Sequence, residues 1–81
     1  MAETNRIDFS ALKKGMKVRV LKACHDCEEG LRLQEMGLTK GAEFTVVKVA
    51  PLGDPVEISL RGYRLCLRKG ETRDFELELL P

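Results

Sequence analysis

The chain has 81 residues, of which 43% are hydrophobic and 33% are charged, so we expect one globular domain over residues 1–81 rather than a disordered chain. No apolar run approaches the roughly 20 residues of a membrane helix, and a net charge of +1 argues neither for nor against an acidic partner. The first residues lack the apolar core of a secretory signal, and the cysteine count of three is odd. We therefore expect a cytoplasmic protein without membrane insertion, whose thiols stay free or bind metal.

The first predicted elements are a turn and a strand. Residues 1–6 are polar and are expected to fray, and Ser10 to Gly15 is expected to form one turn. Met16, Val18 and Val20 then alternate with charged residues, which predicts a first strand with a basic, solvent-facing side.

The stretch from Cys27 to Gly41, CEEGLRLQEMGLTKG, contains the one clear helix pattern. Asp26 and Glu29 are spaced as a capping box at its start. Gly30 weakens this short helix by about 1 kcal/mol relative to alanine, so we expect the helix to require packing on a sheet.

The predicted end of the helix is Gly37, a residue type that readily adopts the left-handed conformation. If Gly37 follows the last helical turn, Leu33 and Leu38 are the apolar pair that make contact in a Schellman motif. Gly41 then permits the turn into the next strand.

The next predicted strand, Glu43 to Val49, changes its apolar side halfway along. Phe44 and Val46 share one face, whereas Val47 and Val49 share the other. This change of alternation is typical of a β-bulge or a strongly coiled strand.

A hairpin is predicted over residues 56–67, with Arg61-Gly62 as its two-residue turn. This turn places the apolar residues of both strands on one face, as a buried face requires. The expected pairs are Leu60 with Tyr63, Ile58 with Leu65, and Val56 with Leu67.

Phe75, Leu77 and Leu79 alternate with glutamates and predict a last strand. The chain is therefore expected to be mainly β, with five short strands and one short helix after the first strand. Such a sheet closes most economically as a small, partly open barrel, because closure hides strand edges.

The segment Cys24-His25-Asp26-Cys27 is the strongest candidate for a chemical site. Two thiols and an imidazole at a helix N-terminus suit Zn²⁺ or Fe²⁺, although no cofactor is certain. A closed zinc site takes four ligands, and the third cysteine, Cys66, lies far along the chain and outside the predicted core. The alternatives are a metal site at Cys24, His25 and Cys27, or unremarkable loop thiols.

A group of basic residues around the first strand raises a second alternative, a nucleic-acid-binding barrel. We favour a solvated strand face and expect no nucleic acid, because the aromatic residues fall on apolar faces and provide no stacking platform. The basic residues are Lys13, Lys14, Lys17, Arg19 and Lys22.

No pattern of catalytic residues is present in the sequence. The single histidine, His25, adjoins the cysteines, so no Ser/His/Asp set can be drawn, and no glycine-rich phosphate loop exists. We therefore expect a protein that is not an enzyme.

The segment Arg32-Leu33-x-x-Met36-Gly37-Leu38-x-x-Gly41 resembles the R-L-x-x-[LM]-G-L-x-x-G motif of the FeoA family of bacterial ferrous iron uptake. The resemblance covers roughly residues 9 to 79. It differs from the usual family pattern at Thr72 and at the Cys-x-x-Cys pair. Its other matching segments are Leu12-x-x-Gly15, Gly53-Asp54-Pro55 and Leu65-x-Leu67-Arg68-x-x-Glu71.

The resemblance implies an SH3-like barrel that acts as a cytosolic accessory protein of ferrous iron uptake. The implied partner is the cytosolic domain of a FeoB-type membrane GTPase transporter, reached through a protein-interaction surface. The odd thiol count leaves a homo-oligomer open. The predicted docking surface comprises Arg32, Glu35, Leu38, Lys40 and Leu52.

Overall fold

The computed structural model describes residues 5–24, 27–72 and 74–81, and within these residues the chain forms six strands and one α-helix. Two single-turn 3-10 helices, Phe9–Ala11 and Lys69–Glu71, precede the second and sixth strands. The helix is α1 (Glu28–Glu35), and the strands are β1 (Arg6–Ile7), β2 (Lys17–Lys22), β3 (Glu43–Val49), β4 (Val56–Leu60), β5 (Tyr63–Leu67) and β6 (Glu76–Leu79).

All strand pairs are antiparallel, in the order β1-β6-β2-β3-β4-β5, which confirms the mainly β prediction with one short helix. The prediction of five strands missed β1, and Arg6, which was expected to fray, pairs with Glu78. The Leu79 N–H also donates to the Asn5 carbonyl at 2.7 Å, so the residue just before β1 hydrogen-bonds to the side of β6 that faces away from β2. A two-residue strand is too short to show a period. Residues 1–4 lie outside the described part of the chain.

The predicted bulge in β3 is confirmed by its pairing with β4. Val46 lies opposite Ile58, but Lys48 lies opposite Glu57, so Val47 is an extra residue in β3. A bulge bends the strand and increases its local twist. This bend turns the end of β3 and lets one strand contribute to both halves of the curled sheet.

The hairpin has the predicted register, and its turn residues Arg61 and Gly62 both have positive φ values, 51° and 88°. Tyr63 departs from the prediction because its side chain is 43% exposed rather than part of the buried face. Its hydroxyl instead donates a hydrogen bond to the Met36 carbonyl at the end of α1. A phenol can serve in this way because it combines an apolar ring with a polar tip, and it links the hairpin to the helix end.

The end of α1 is the predicted Schellman motif. The Leu38 N–H donates to the Leu33 carbonyl and the Gly37 N–H donates to the Gln34 carbonyl, both at 3.0 Å. Gly37 has a φ of 105°, which only glycine adopts at low cost. The motif brings both Leu33 and Leu38 into the core, where they are 1% and 0% exposed.

The core lies between the concave face of the sheet and α1. It is aliphatic apart from Phe44, Phe75 and Cys24, in line with the absence of tryptophan. Met16 and Met36 are partly buried and pack against its margin. The most buried strand residues are Val18, Val20, Phe44, Val46, Val56, Ile58, Leu60 and Leu67.

Candidate functional site

The two cysteines before α1 are joined by a disulfide, with their Cα atoms 6.1 Å apart. The disulfide differs from the expectation that these thiols stay free or bind metal, and metal binding at this segment stays a prediction. Cys24 is 9% exposed, and Cys27 is the N-cap residue of α1 but makes no side-chain cap hydrogen bond. Because the N-cap is Cys27, the third helical residue is Gly30 and not Glu29, so the predicted capping box of Asp26 and Glu29 is out of register by one residue. His25 and Asp26 themselves lie outside the described residues, so the histidine ligand stays a prediction.

Gly30 lets α1 approach the segment from Cys24 to Cys27, here called the cysteine loop, closely. A Cβ at this position would lie 2.6 Å from the Cys24 carbonyl oxygen and 3.2 Å from the Cys27 Sγ. Gln34 holds the same loop from the next helical turn, since its amide donates to the Cys24 carbonyl at 2.9 Å. A glycine that weakens the helix locally therefore positions the helix on the loop.

Asp74 is a third potential ligand, which was not predicted from the sequence. Its Oδ2 lies 3.7 Å from the Cys24 Sγ, and one ligand atom from each of Cys24, Cys27 and Asp74 lies within 4.8 Å of the others. The pairing of Lys22 with Glu76 explains this proximity, because continuing an antiparallel register by two residues brings Cys24 opposite Asp74. The signal in the sequence was the pairing of the first and last predicted strands, which periodicity alone does not reveal.

Cys66 lies away from this cluster, on the exposed side of β5, as predicted. It pairs with Glu57 across the hairpin, where Arg64 also contacts the Glu57 carboxylate at 3.3 Å. Among the described residues, the cluster of three possible ligands does not include Cys66.

Four of the five predicted docking residues are exposed, and one is buried in the core. Arg32, Glu35 and Lys40 are exposed on α1 and the following turn, and Leu52 is 95% exposed in the loop between β3 and β4. Leu38 is fully buried, so its inclusion in a surface was wrong. The physical reason is the Schellman motif, which turns the residue after the glycine back against the helix.

An exposed apolar residue and a small pocket were not predicted from the sequence. Leu31, on the outer side of α1, is 48% exposed. Beside the Leu52 loop is a shallow pocket of about 260 Å³. Its lining residues are Lys48, Ala50, Pro51, Pro55, Glu57 and Cys66.

The basic side of the first predicted strand is partly neutralised by neighbouring strands. Arg19 contacts Glu43 at 3.0 Å and Glu78 at 3.6 Å, and Arg6 contacts Glu76 at 3.0 Å. These exposed pairs contribute little stability, about 0–1 kcal/mol each. They do reduce the positive potential that a nucleic-acid backbone would require.

Along the described parts of the chain, no helix has the length and apolar character needed to cross a membrane.

The FeoA domain family profile matches residues 8–78. The chain belongs to the FeoA domain family. This confirms the family resemblance that the helix-end motif indicated.

The relatives of this FeoA domain include a fusion protein and isolated domains. The chain is 41% identical over 49 residues to the Fe(2+) transport protein A/Fe(2+) transporter FeoB fusion protein of Porphyromonas gingivalis, a match of 60% of this chain and 6% of that protein. It is 33% identical to a FeoA-like protein from Clostridium acetobutylicum, with a TM-score of 0.82, covering 98% of this chain and 92% of the other.

A third relative establishes the fold class. Zinc-complexed FeoA from Stenotrophomonas maltophilia, described as a prokaryotic SH3 domain protein, is 26% identical, with a TM-score of 0.66. The match covers 91% of this chain and 87% of that chain. The predicted SH3-like, mainly β class is confirmed.

Proposed function

We propose that this FeoA domain is a cytoplasmic, non-enzymatic accessory protein of ferrous iron uptake that docks on the cytosolic part of a FeoB-type transporter. The observation that carries the proposal is the P. gingivalis fusion, in which a FeoA region and FeoB share one chain. Covalent linkage keeps two domains at a high effective concentration, which favours their association. A separate FeoA chain would have to achieve the same association through its own surface.

Leu52 is the apolar centre of the proposed docking surface. Its loop is held at both ends, because the Gly53 N–H donates to the Ala50 carbonyl at 2.8 Å and the Lys69 N–H donates to the Asp54 carboxylate at 3.1 Å. An apolar side chain on a loop that is already ordered loses little conformational entropy on binding. The adjacent pocket of about 260 Å³ could accept an apolar side chain of the partner.

The outer side of α1 is the second part of the proposed surface. Leu31 is half exposed, and the charged residues Arg32 and Glu35 lie beside it on the same helix. An apolar residue with charged neighbours resembles the centre and rim of a protein interface. We propose that this helix face supplies the polar contacts that orient the domain on the transporter.

The test is binding of the purified chain to the cytosolic domain of the FeoB protein from the same organism, measured by pull-down and by titration. Leu52→Asp is expected to weaken binding by at least about tenfold, equivalent to 1.4 kcal/mol, without a change in melting temperature. Ala11→Asp adds the same charge at an exposed position and is the matched control. Leu31→Asp tests the helix face in the same assay.

Two results would contradict the proposal. If the unmodified chain does not bind the FeoB domain, the proposed partner is wrong. If the chain binds but Leu52→Asp and Leu31→Asp bind equally well, the partner stands and the docking surface is wrong.

A further inference from the structure

Three potential metal ligands converge where three elements of the fold meet. Cys24 follows β2, Cys27 begins α1, and Asp74 precedes β6. The Cys24 Sγ lies 3.7 Å from the Asp74 Oδ2, and one ligand atom from each of the three residues falls within 4.8 Å of the others. Zinc–sulfur and zinc–oxygen bonds of about 2.3 and 2.1 Å place two ligands of a tetrahedral ion roughly 3.6 Å apart. The observed sulfur–carboxylate separation already suits such an ion.

The disulfide leaves the Asp74 carboxylate without a partner in this contact. A disulfide sulfur has no proton to donate, so the approach of Asp74 Oδ2 to Cys24 Sγ is not a hydrogen bond in the oxidised state. A thiol could donate to the carboxylate, and a metal ion could bind both groups. The arrangement therefore gains attractive interactions only after the disulfide is reduced.

The position of Cys27 at the start of α1 suits an anionic ligand once the disulfide opens. Cys27 caps α1, where unpaired N–H groups and the helix dipole stabilise negative charge, and its side chain makes no competing cap hydrogen bond. Cys24 is buried, and its carbonyl is held by Gln34. Asp74 is placed by the pairing of β2 with β6. Each of the three donors therefore lies within two residues of a strand or helix end, and these elements bring the donors together.

We propose that Cys24, Cys27 and Asp74 form a binding site for a thiolate-preferring divalent transition metal ion, with Zn²⁺ as the reference ion, and that the disulfide is its closed state. Thiolate and carboxylate are both zinc ligands, and two thiolates in the set favour this class of ion over Mg²⁺ or Ca²⁺. The site is independent of the proposed docking on FeoB.

The conversion between the two states is a thiol–disulfide exchange. Two equivalents of a low-molecular-weight thiol supply two electrons and two protons. They are oxidised to one disulfide while the Cys24–Cys27 bond is reduced to two thiols. Binding of the divalent ion then displaces both thiol protons into solvent, and each sulfur donates an electron pair to the ion. The site consequently binds metal only under reducing conditions.

The test uses the whole chain, reduced with a phosphine under anaerobic conditions and titrated with Co²⁺, with Zn²⁺ as competitor. Reduced protein is expected to bind one equivalent of Co²⁺ with a sulfur-to-cobalt charge-transfer band, and Zn²⁺ is expected to remove this band. The oxidised protein is expected to show no band. Zn²⁺ should also raise the melting temperature of the reduced protein, because an ion that binds only the folded state stabilises it.

Variants assign the ligands. Asp74→Asn keeps the shape of the side chain, and we expect it to weaken Zn²⁺ binding by at least about tenfold. Loss of an outer-shell partner already costs about tenfold or more, and loss of a direct ligand should cost no less. Cys24→Ser and Cys27→Ser should each reduce the charge-transfer intensity by about half. Asp8→Asn and Cys66→Ser change exposed groups of the same types and are the matched controls.

The proposal fails if the reduced protein binds no Co²⁺, or if the oxidised protein binds it equally well. It also fails if Asp74→Asn binds Zn²⁺ as tightly as the unmodified chain, or if Cys66→Ser lowers the affinity as much as Cys24→Ser does. Circular dichroism of each reduced, metal-free variant separates loss of a ligand from loss of the fold, and the exposed position of Asp74 favours a folded variant.

Discussion

Replacing Gly30 with alanine tests whether α1 must lie in close contact with the cysteine loop. The new Cβ would lie 2.6 Å from the Cys24 carbonyl oxygen, whereas real Cβ atoms essentially never approach closer than 3.0 Å. It would also lie 3.2 Å from the Cys27 Sγ. The nearest atom belongs to the backbone, which cannot rotate away as a flexible side chain could, so either the helix or the loop must move.

Two opposing effects determine the change in the free energy of unfolding. Alanine is the better helix former, and this alone would stabilise the protein by about 1 kcal/mol. Inserting a methyl group into a packed site costs about 1–3 kcal/mol. The backbone contact favours the upper part of that range, so we expect Gly30→Ala to destabilise the protein by about 1–2 kcal/mol in total.

The assay is urea and thermal unfolding of both proteins in the same redox state, with and without reductant. Each kcal/mol corresponds to about 4–8 °C for a domain of this size, so the melting temperature should fall by about 4–16 °C. Gly70→Ala is the matched control, because a Cβ at Gly70 would meet nothing within 4 Å. We expect the control to be neutral or slightly stabilising. A Gly30→Ala protein that is more stable by about 1 kcal/mol would refute the reasoning, since helix propensity would then dominate.

Two further substitutions test the end of the helix and the core. Leu38→Ala should destabilise the protein by about 2–5 kcal/mol in urea unfolding, because a buried leucine leaves a cavity, whereas Leu52→Ala at the exposed loop should change stability by less than about 0.5 kcal/mol. If Leu38→Ala and Leu52→Ala lowered the free energy of unfolding equally, Leu38 would not be in the core. Tyr63→Phe should cost about 0.5–1.5 kcal/mol, because the Met36 carbonyl loses its hydroxyl donor. An unchanged melting temperature for Tyr63→Phe would mean that water replaces the donor without loss.

The features that could be predicted from the sequence are encoded in short segments. The turn Arg61-Gly62 sets the hairpin register because a two-residue loop leaves one pairing that places all the aliphatic residues of the hairpin on one face. Gly37 similarly specifies the helix end, since its left-handed conformation and the two flanking leucines act within one turn. The bulge at Val47 was visible as a change of alternation within one strand.

The features that were missed depend on contacts between distant segments. Asp74 reaches Cys24 through the pairing of β2 with β6, and the two residues are 50 positions apart in sequence. The exposure of Tyr63 could not be predicted from alternation, because its hydroxyl finds a partner on the helix rather than on the sheet. Leu38 was predicted both to contact Leu33 in the helix-end motif and to lie on a docking surface. The first role requires burial and the second requires exposure, and the side chain is buried.

The sheet order leaves β5 at one end, and its outer side has no neighbouring strand within the described part of the chain. An unpaired strand can recruit the same strand of another molecule and so begin aggregation. Three exposed arginines, Arg61, Arg64 and Arg68, lie along this short strand and its two ends. Two such strands brought edge to edge would place like charges together, which disfavours self-association through this edge of the hairpin.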